Sequence, residues 1–210
     1  MAAALSPAEI AAELAHCRVS LPPAGLEQLS TYLELLLRWN RRINLTGLRD
    51  PRLIVRRLFG ESLYVAQVLD LQGWLVDVGS GAGFPGLALK LALPSLKVTL
   101  VEARRRKGAF LKEVIRECHL TATDVVVERF EVWCGDIKGK RPDCITTRAV
   151  ELSSHLLSLI AGTLRPGGVG VFFTSSRLAP RLREQADTLR WDQEVNIPGS
   201  RDTVLIIGRE

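Results

Sequence analysis

The residues that could do chemistry gather around one glycine-rich stretch, GSGAGFPG at positions 79–86. An apolar run ending in Asp77 precedes it, and glycine at such a place permits a tight turn and close approach of a ligand to the backbone. Glu102 follows at roughly the 20-residue spacing of the carboxylate that binds ribose hydroxyls in nucleotide folds. A third acid, Glu128 or Glu131, stands where an adenine edge would lie. The pattern predicts a nucleotide site, the alternative being a purely structural turn.

The choice of nucleotide depends on Phe84 and Pro85. The dinucleotide fingerprint is G-x-G-x-x-G, and Gly79 and Gly81 fit it, but its third glycine would fall on Phe84. Phe84-Pro85 would crowd a diphosphate, whereas S-adenosylmethionine has an uncharged linker and presents an amino-acid end. We therefore predict S-adenosylmethionine. A nicotinamide-dependent dehydrogenase and a non-catalytic RNA-binding protein on the same fold remain as alternatives.

Other methyl-transfer and metal chemistries have signatures that do not match this chain. Methylation of an exocyclic amine usually comes with a D/N/S-P-P-Y/F/W segment after the fourth strand, where this chain has TTRAV (146–150). Methylation of cytosine C5 needs a cysteine, often in Pro-Cys, but Cys144 of RPDC falls inside a strand pattern and is interpreted as a core residue. The four cysteines form no C-x-x-C pair and the histidines are scattered, so we expect free thiols and no metal site.

Residues 1–72 form a predicted helical extension in front of the glycine-rich stretch. The sequence SPAE (6–9) is typical of a capping box with proline at the first helical position. Leucines at helical spacing follow within residues 23–40, and Asp50 is the predicted N-cap of a third helix that runs to about residue 69.

Residues 73–210 alternate strand and helix patterns and form one predicted compact unit. Such alternation predicts an α/β fold, a parallel sheet with helices on both faces, in which ligands bind at the carboxyl ends of the strands. A closing hairpin is predicted around the turn PGS (198–200). The other predicted strands are 74–79, 97–102, 124–128, 143–148 and 169–175.

The charge distribution permits a polyanionic partner. The chain is 47% hydrophobic with a net charge of +5, as in ordinary globular proteins with a moderate basic excess. Seven arginines lie within 38–57 against one acid, and RRRK follows at 104–107. These two clusters are candidates for binding RNA phosphates, the alternative being solvated helix faces. A secretory signal and an apolar run of about 18 residues are absent from the sequence, so we expect a cytoplasmic protein without membrane contact.

Four motifs together resemble the RsmG/GidB family of bacterial 16S ribosomal RNA methyltransferases. They are RWNRRINLTGLRDP (38–51), DVGSGAGFPG (77–86), Glu102 followed by a basic run and AFL (109–111), and TRAV (147–150). The resemblance implies a class I S-adenosylmethionine-dependent methyltransferase, Rossmann-like, whose mostly parallel seven-stranded sheet follows a helical extension. It also implies methyl transfer to N7 of one guanine in 16S rRNA or the small ribosomal subunit, and we expect a monomer.

The resemblance also assigns site residues. Residues implied at the cofactor are Gly79, Phe84, Glu102, Ala103, Arg104, Phe130, Glu131 and Arg148. Candidates for contact with RNA are Asn44, Thr46, Arg56 and Arg57. Asn44 and Thr46 could instead form a turn and cap, and Arg148 a structural ion pair. The chain departs from the family pattern at Leu58, Glu61 and Glu102, where the family usually has His, Asp and Asp.

The predicted chemistry needs no general base. Guanine N7 carries an in-plane lone pair and no proton at neutral pH, so the protein must only align N7 with the methyl carbon and the sulfonium sulfur. Proximity and orientation can supply roughly 7–11 kcal/mol of such a barrier. We therefore predict no catalytic acid–base residue. Because the major groove of A-form RNA is deep and narrow, the target guanine must lie in a loop or be offered before the RNA folds completely.

Overall fold

The computed structural model describes residues 5–137, 139–185 and 188–210, so the first four residues of the predicted extension lie outside the described residues. The extension is helical, as predicted. No helix among the described residues is long and apolar enough to cross a membrane. The helical elements are α1 (Pro7–Ala15), α2 (Pro23–Asn40), α3 (Pro51–Ile54), a π-helical turn (Val55–Gly60), α4 (Glu61–Leu63) and α5 (Val65–Val68).

Local capping signals begin these helices where the sequence predicts. The Ser6 side chain accepts from the Glu9 backbone N–H while the Glu9 carboxylate accepts from the Ser6 N–H, which completes the capping box. The Asp50 carboxylate accepts from the Arg52 N–H at 2.9 Å. The predicted third helix is not uniformly α-helical, because the π turn interrupts it. Gly60 ends that turn, and a Cβ there would lie 2.7 Å from the Cys17 sulfur, so the segment after α1 packs directly on the backbone.

The strands are β1 (Trp74–Val78), β2 (Lys97–Val101), β3 (Thr123–Val126), β4 (Cys144–Arg148), β5 (Val169–Ser175), β6 (Arg190–Asn196) and β7 (Thr203–Arg209). These seven strands of the described residues form one sheet in the order β3-β2-β1-β4-β5-β7-β6. The first five are mutually parallel, and β7 runs antiparallel to both β5 and β6. The order reverses at β1, which lies between β2 and β4. The predicted parallel sheet with a closing hairpin is therefore confirmed.

Helices connect the strands and cover the sheet. Two short helices, α8 (Phe130–Asp136) and α10 (Ala179–Glu184), were not predicted from the sequence, because their apolar pattern is too brief to show a helical period. The helices are α6 (Gly86–Ala92), α7 (Arg105–Glu117), α8 (Phe130–Asp136), α9 (Ser154–Thr163) and α10 (Ala179–Glu184).

One hydrophobic core joins the helical extension to one face of the sheet. It combines buried leucines of α2 with side chains of α6 and α7, such as Leu87 and Phe110, and with Leu75 and Leu100 of the sheet. A second core on the other face contains Ile145 and the buried face of α9. Helix α2 therefore lies over α6 and α7 as an outer layer. The boundary near residue 72 stays a prediction.

Candidate cofactor site

The glycine-rich loop leaves β1 at the carboxyl edge of the sheet, where the strand order reverses. The N–H groups of Gly79 and Ser80 donate to the Val101 carbonyl at 2.9 and 3.1 Å, which ties the loop to the end of β2. Gly79 has a φ of +67°, and a Cβ there would lie 2.5 Å from Cγ2 of Val150. The loop therefore requires glycine at this position for both its conformation and its contacts.

Tyr32 of α2 anchors the same loop from the helical extension. Its hydroxyl donates to the carbonyl of Ala82, and a Cβ on Gly83 (φ +90°) would lie 2.2 Å from its oxygen. Its ring stacks on that of Phe84 with centroids 5.6 Å apart, and Phe59 meets both rings edge-on. Burial raises the pKa of Tyr32, so the hydroxyl stays protonated as a donor. The extension thus contributes directly to the shape of the loop.

Phe84, implied as a cofactor residue, directs its ring into this aromatic cluster and is 5% exposed. The ring therefore does not overhang the loop, and the sequence argument that it would crowd a diphosphate is wrong in that form. A cofactor contact would use its backbone, and this assignment stays a prediction.

Glu102 lies beside the loop just after β2 and is 6% exposed. One carboxylate oxygen accepts from the Gly81 N–H at 2.9 Å, and the other accepts from the Arg104 N–H at 2.8 Å. Each oxygen keeps a further lone pair, with which it can accept a hydrogen bond from a ribose hydroxyl. Ala103 and Arg104 are exposed next to it. A Cβ on Gly81 would lie 3.9 Å from the ammonium nitrogen of Lys107, so a cation also lies at this part of the loop.

Phe130 and Glu131 begin α8, the helix that follows β3. Phe130 is buried, with its ring 5.9 Å from that of Trp133, whereas Glu131 is exposed. The structure places this pair after the strand next to β2, as the family pattern implies. The contact with adenine stays a prediction.

Asp77 supports the loop from inside the protein. It is fully buried, and its carboxylate accepts from the Thr146 hydroxyl at 2.9 Å and from the Gly86 N–H at 3.2 Å. Burial raises the pKa of Asp77 to about 7. The side chain therefore links β1, β4 and the start of α6, and it holds the two ends of the loop together.

Arg148, at the end of β4, reaches the helical extension. Its guanidinium binds the Glu61 carboxylate at 2.5 Å and donates to the Arg57 carbonyl at 2.8 Å, and burial lowers its pKa. The other oxygen of Glu61 accepts from the Ser200 hydroxyl at 2.9 Å, and the guanidinium lies 5.0 Å from the centroid of the Phe173 ring. Arg148 therefore makes the structural ion pair that was the alternative assignment. Its contact with the cofactor stays a prediction.

A cavity of about 630 Å³ opens at the carboxyl ends of β4 and β5. Val150 belongs to its wall and also lies against Gly79, so the cavity adjoins the glycine-rich loop. Leu178 of its rim is 54% exposed, and Glu151 and Asp202 contribute carboxylates. The volume lies within the range of about 300–1,000 Å³ that is typical of small-molecule sites. The cavity beside the loop is therefore large enough for a small molecule.

Asn44 and Thr46 lie in the loop after α2. The Asn40 amide organises this loop: it donates to the Thr46 carbonyl and accepts from the Thr46 N–H, both at 3.0 Å. The Thr46 hydroxyl accepts from the Leu48 N–H at 3.2 Å, so Thr46 has the turn role that was its alternative. Asn44 is exposed. Contacts of both residues with RNA stay predictions.

The two arginines predicted to bind RNA have different surroundings. Arg56 forms an ion pair with Glu13 of α1, whose side chain is 4% exposed. Arg57 is exposed, and none of the ion pairs formed within the described part of the chain includes it. Leu58, at the position of the family His, is half-buried. Arg57 is therefore available to a phosphate, while Arg56 already has a carboxylate partner.

Tyr32 is the main residue of the candidate site that was not predicted from the sequence. Its position on the leucine face of α2 was the available indication, because a tyrosine on a buried face needs a hydrogen-bond partner for its hydroxyl. Glu61 appeared only as a departure from the family pattern, and the sequence gave no reason to pair it with Arg148. Both contacts join distant segments, which helical periodicity does not reveal.

Comparison with known proteins identifies the family. The GidB family model, described as rRNA small subunit methyltransferase G, matches residues 25–202. Ribosomal RNA small subunit methyltransferase G 2 of Syntrophobacter fumaroxidans is 33% identical over 210 residues, covering 95% of this chain and 41% of that protein. Ribosomal RNA small subunit methyltransferase G of Chloroflexus aggregans is 37% identical, covering 86% of this chain and 79% of that protein. The chain thus spans less than half of the first relative and most of the second.

Solved structures show the fold. A mutant of MtNAS in complex with S-adenosylmethionine has a TM-score of 0.61 at 13% identity, covering 87% of this chain and 74% of that one. Precorrin-6y C5,15-methyltransferase of Geobacter metallireducens has a TM-score of 0.53 at 14% identity, covering 72% of this chain and 87% of that one. The fold is that of class I S-adenosylmethionine-dependent methyltransferases. With the family match over most of its length, the chain belongs to the GidB family, rRNA small subunit methyltransferase G.

Proposed function

We propose that this chain transfers the methyl group of S-adenosylmethionine to N7 of one guanine in the 16S rRNA of the small ribosomal subunit. The match of the GidB family model to residues 25–202 carries this proposal. The named relatives are methyltransferases of small-subunit rRNA, which favours methyl transfer over the dehydrogenase and the non-catalytic alternatives.

The glycine-rich loop and its neighbours would hold the cofactor. The Gly79 backbone would lie along the amino-acid end, and Glu102 would accept from the ribose hydroxyls. Phe130 and Glu131 would flank the adenine. Two observations support this placement: Gly79 has no side chain to cover its backbone, and both Glu102 oxygens keep a free lone pair at the loop. Bound S-adenosylmethionine supplies an electrophilic methyl group on a sulfonium sulfur.

The adjoining cavity would receive the guanine. It begins at Arg148 and Val150, next to Gly79, so a base inside it can direct N7 toward the loop. The protein then contributes alignment and exclusion of water, because N7 carries no proton to remove. We assign no acid–base role to Glu151 or Asp202.

The RNA would approach from the side of the extension. Exposed Arg57 would bind a phosphate, and Asn44 would contact the RNA from the loop after α2. For Arg56 and Thr46 we propose a secondary contribution, because both already have partners within the protein. We also propose a cytoplasmic monomer. Free thiols on all four cysteines support a reducing compartment.

Incubation of unmodified small ribosomal subunits with methyl-labelled S-adenosylmethionine tests the proposal. We expect label on N7 of a single guanine, mapped by chemical cleavage at the modified base, with naked 16S rRNA as a parallel substrate. Gly79→Asp should abolish both cofactor binding and labelling. Label on another atom or another RNA, or saturable binding of a nicotinamide dinucleotide instead of S-adenosylmethionine, would contradict the proposal.

A further inference from the structure

The two arginine clusters, far apart in sequence, meet at a second cavity. This cavity has a volume of about 350 Å³ and lies between the end of α2 and the start of α7. Its lining consists of Arg38, Trp39, Arg42, Ile43 and Arg106. It shares no lining residue with the cavity beside Gly79. We call it the arginine cavity.

Two of its cations lack a carboxylate partner. Arg38 forms an ion pair with Glu113 of α7, and that carboxylate also accepts from the Trp39 indole N–H at 3.0 Å. Arg42 and Arg106 are exposed, and neither takes part in an ion pair within the described ranges. Two like charges thus line one cavity without a carboxylate bound between them. Both guanidinium groups would attract an anion that enters the cavity.

The floor of the arginine cavity is apolar and fixed. Trp39 is half-buried, and its ring packs against Phe110 with centroids 5.8 Å apart. The bond to Glu113 fixes the indole edge, and half-buried Ile43 completes the floor. A rigid aromatic surface beside free guanidinium groups is the combination with which proteins hold single-stranded nucleic acid, by stacking the base and binding the phosphate.

We propose that the arginine cavity binds one nucleotide of the ribosomal RNA other than the target guanine. Its phosphate would lie between Arg42 and Arg106, and its base would rest on Trp39. The inference rests on the proposed function for the identity of the RNA. The next residue of α7, Lys107, has its ammonium beside Gly81 of the cofactor loop, so this nucleotide would hold the RNA next to the cofactor site.

The test compares two charge-matched double variants of the full chain. Arg42→Glu with Arg106→Glu reverses both free charges of the arginine cavity. Lys112→Glu with Arg190→Glu makes the same change in net charge at exposed positions, on α7 and at the start of edge strand β6, and neither residue takes part in an ion pair within the described ranges. The measurements are filter binding of unmodified small subunits over a range of salt concentrations, calorimetry with S-adenosylmethionine, and steady-state methylation.

For the cavity variant we expect the dissociation constant for subunits and KM for subunits to rise at least about tenfold. The slope of log K against log salt concentration should fall in magnitude by about 0.7, as for the loss of one phosphate contact on a single strand. Affinity for S-adenosylmethionine and kcat should stay unchanged, and the control variant should change subunit affinity less than about threefold. Ultraviolet cross-linking of wild type to subunits should give a nucleotide adduct on Trp39.

Equal weakening by both double variants would show general charge attraction and overturn the proposal. So would unchanged binding by the cavity variant, or adducts only on residues outside the cavity. Failure of the proposed function has a different signature, since wild type would then leave the rRNA unmethylated. Because filter binding needs no turnover, the cavity is tested in that case as well.

Discussion

Replacing Tyr32 by phenylalanine removes the hydrogen bond between the helical extension and the glycine-rich loop while keeping the stacked ring. The Ala82 carbonyl loses its donor, and Ala82 is only 7% exposed, so water has little access to that oxygen. The second tyrosine of the chain provides a matched control. Tyr64 is half-buried, and its hydroxyl has no hydrogen-bond partner within the described part of the chain.

The expected size of the effect follows from burial. A carbonyl left without a partner in the interior costs about 1–3 kcal/mol. We therefore expect Tyr32→Phe to lower the free energy of unfolding by that amount and the melting temperature by about 2–4 °C for each kcal/mol. The lost hydrogen bond is one that holds the glycine-rich loop itself. If about 1.4 kcal/mol of the lost stability appears in cofactor binding, the dissociation constant for S-adenosylmethionine rises about tenfold.

Urea unfolding and calorimetric titration with S-adenosylmethionine measure both effects. Tyr64→Phe should change neither quantity beyond a few tenths of a kcal/mol. The reasoning would be refuted if the two variants were indistinguishable in stability and in cofactor affinity. A Tyr32→Phe protein with lower stability but unchanged affinity would show that the hydroxyl supports the core without shaping the loop.

Three further predictions concern residues around the loop. Gly79→Ala raises the calorimetric dissociation constant for S-adenosylmethionine at least about tenfold, because its Cβ would lie 2.5 Å from a methyl group of Val150. Gly162→Ala, with open space around its Cβ, leaves the affinity unchanged, and equal affinities of the two variants would contradict the prediction. Since the pKa of Asp77 is raised to about 7, the folded protein holds one more proton than the unfolded chain between about pH 4 and pH 7, and the free energy of unfolding falls as pH rises through that window. Urea unfolding of Asp77→Asn at several pH values should lack this dependence, and the same dependence in both proteins would reject the assignment. Glu61→Gln leaves Arg148, which is buried, without its carboxylate partner and lowers the free energy of unfolding by about 3–5 kcal/mol. Glu117→Gln removes a carboxylate from an exposed ion pair and lowers it by less than about 1 kcal/mol, so similar urea midpoints for the two variants would refute the prediction.

The sequence predicted the elements whose signals are local. The capping residues Ser6 and Asp50 begin helices as expected, and five short apolar runs became the parallel strands. Such features depend on neighbouring residues alone. The π-helical turn packs against Cys17, a contact between distant segments that no periodic pattern encodes.

The candidate site was predictable in position but only partly in geometry. Glu102 lies at the loop as its spacing predicts, since the carboxyl ends of β1 and β2 are neighbours in a parallel sheet. The direction of the Phe84 ring was not predictable, because it depends on Tyr32 and Phe59 from the extension. The same holds for Arg148, whose partner Glu61 comes from another part of the chain.

The layer formed by α2 has a consequence for dissection of the protein. Its leucine face covers apolar side chains of α6 and α7, and Tyr32 reaches through to the loop. A fragment that begins near residue 73 would expose those side chains as a contiguous apolar patch, and such patches drive self-association. A fragment without the helical extension is therefore unsuited to expression by itself. Circular permutation, which keeps every segment while moving the ends, is the appropriate way to relocate the termini.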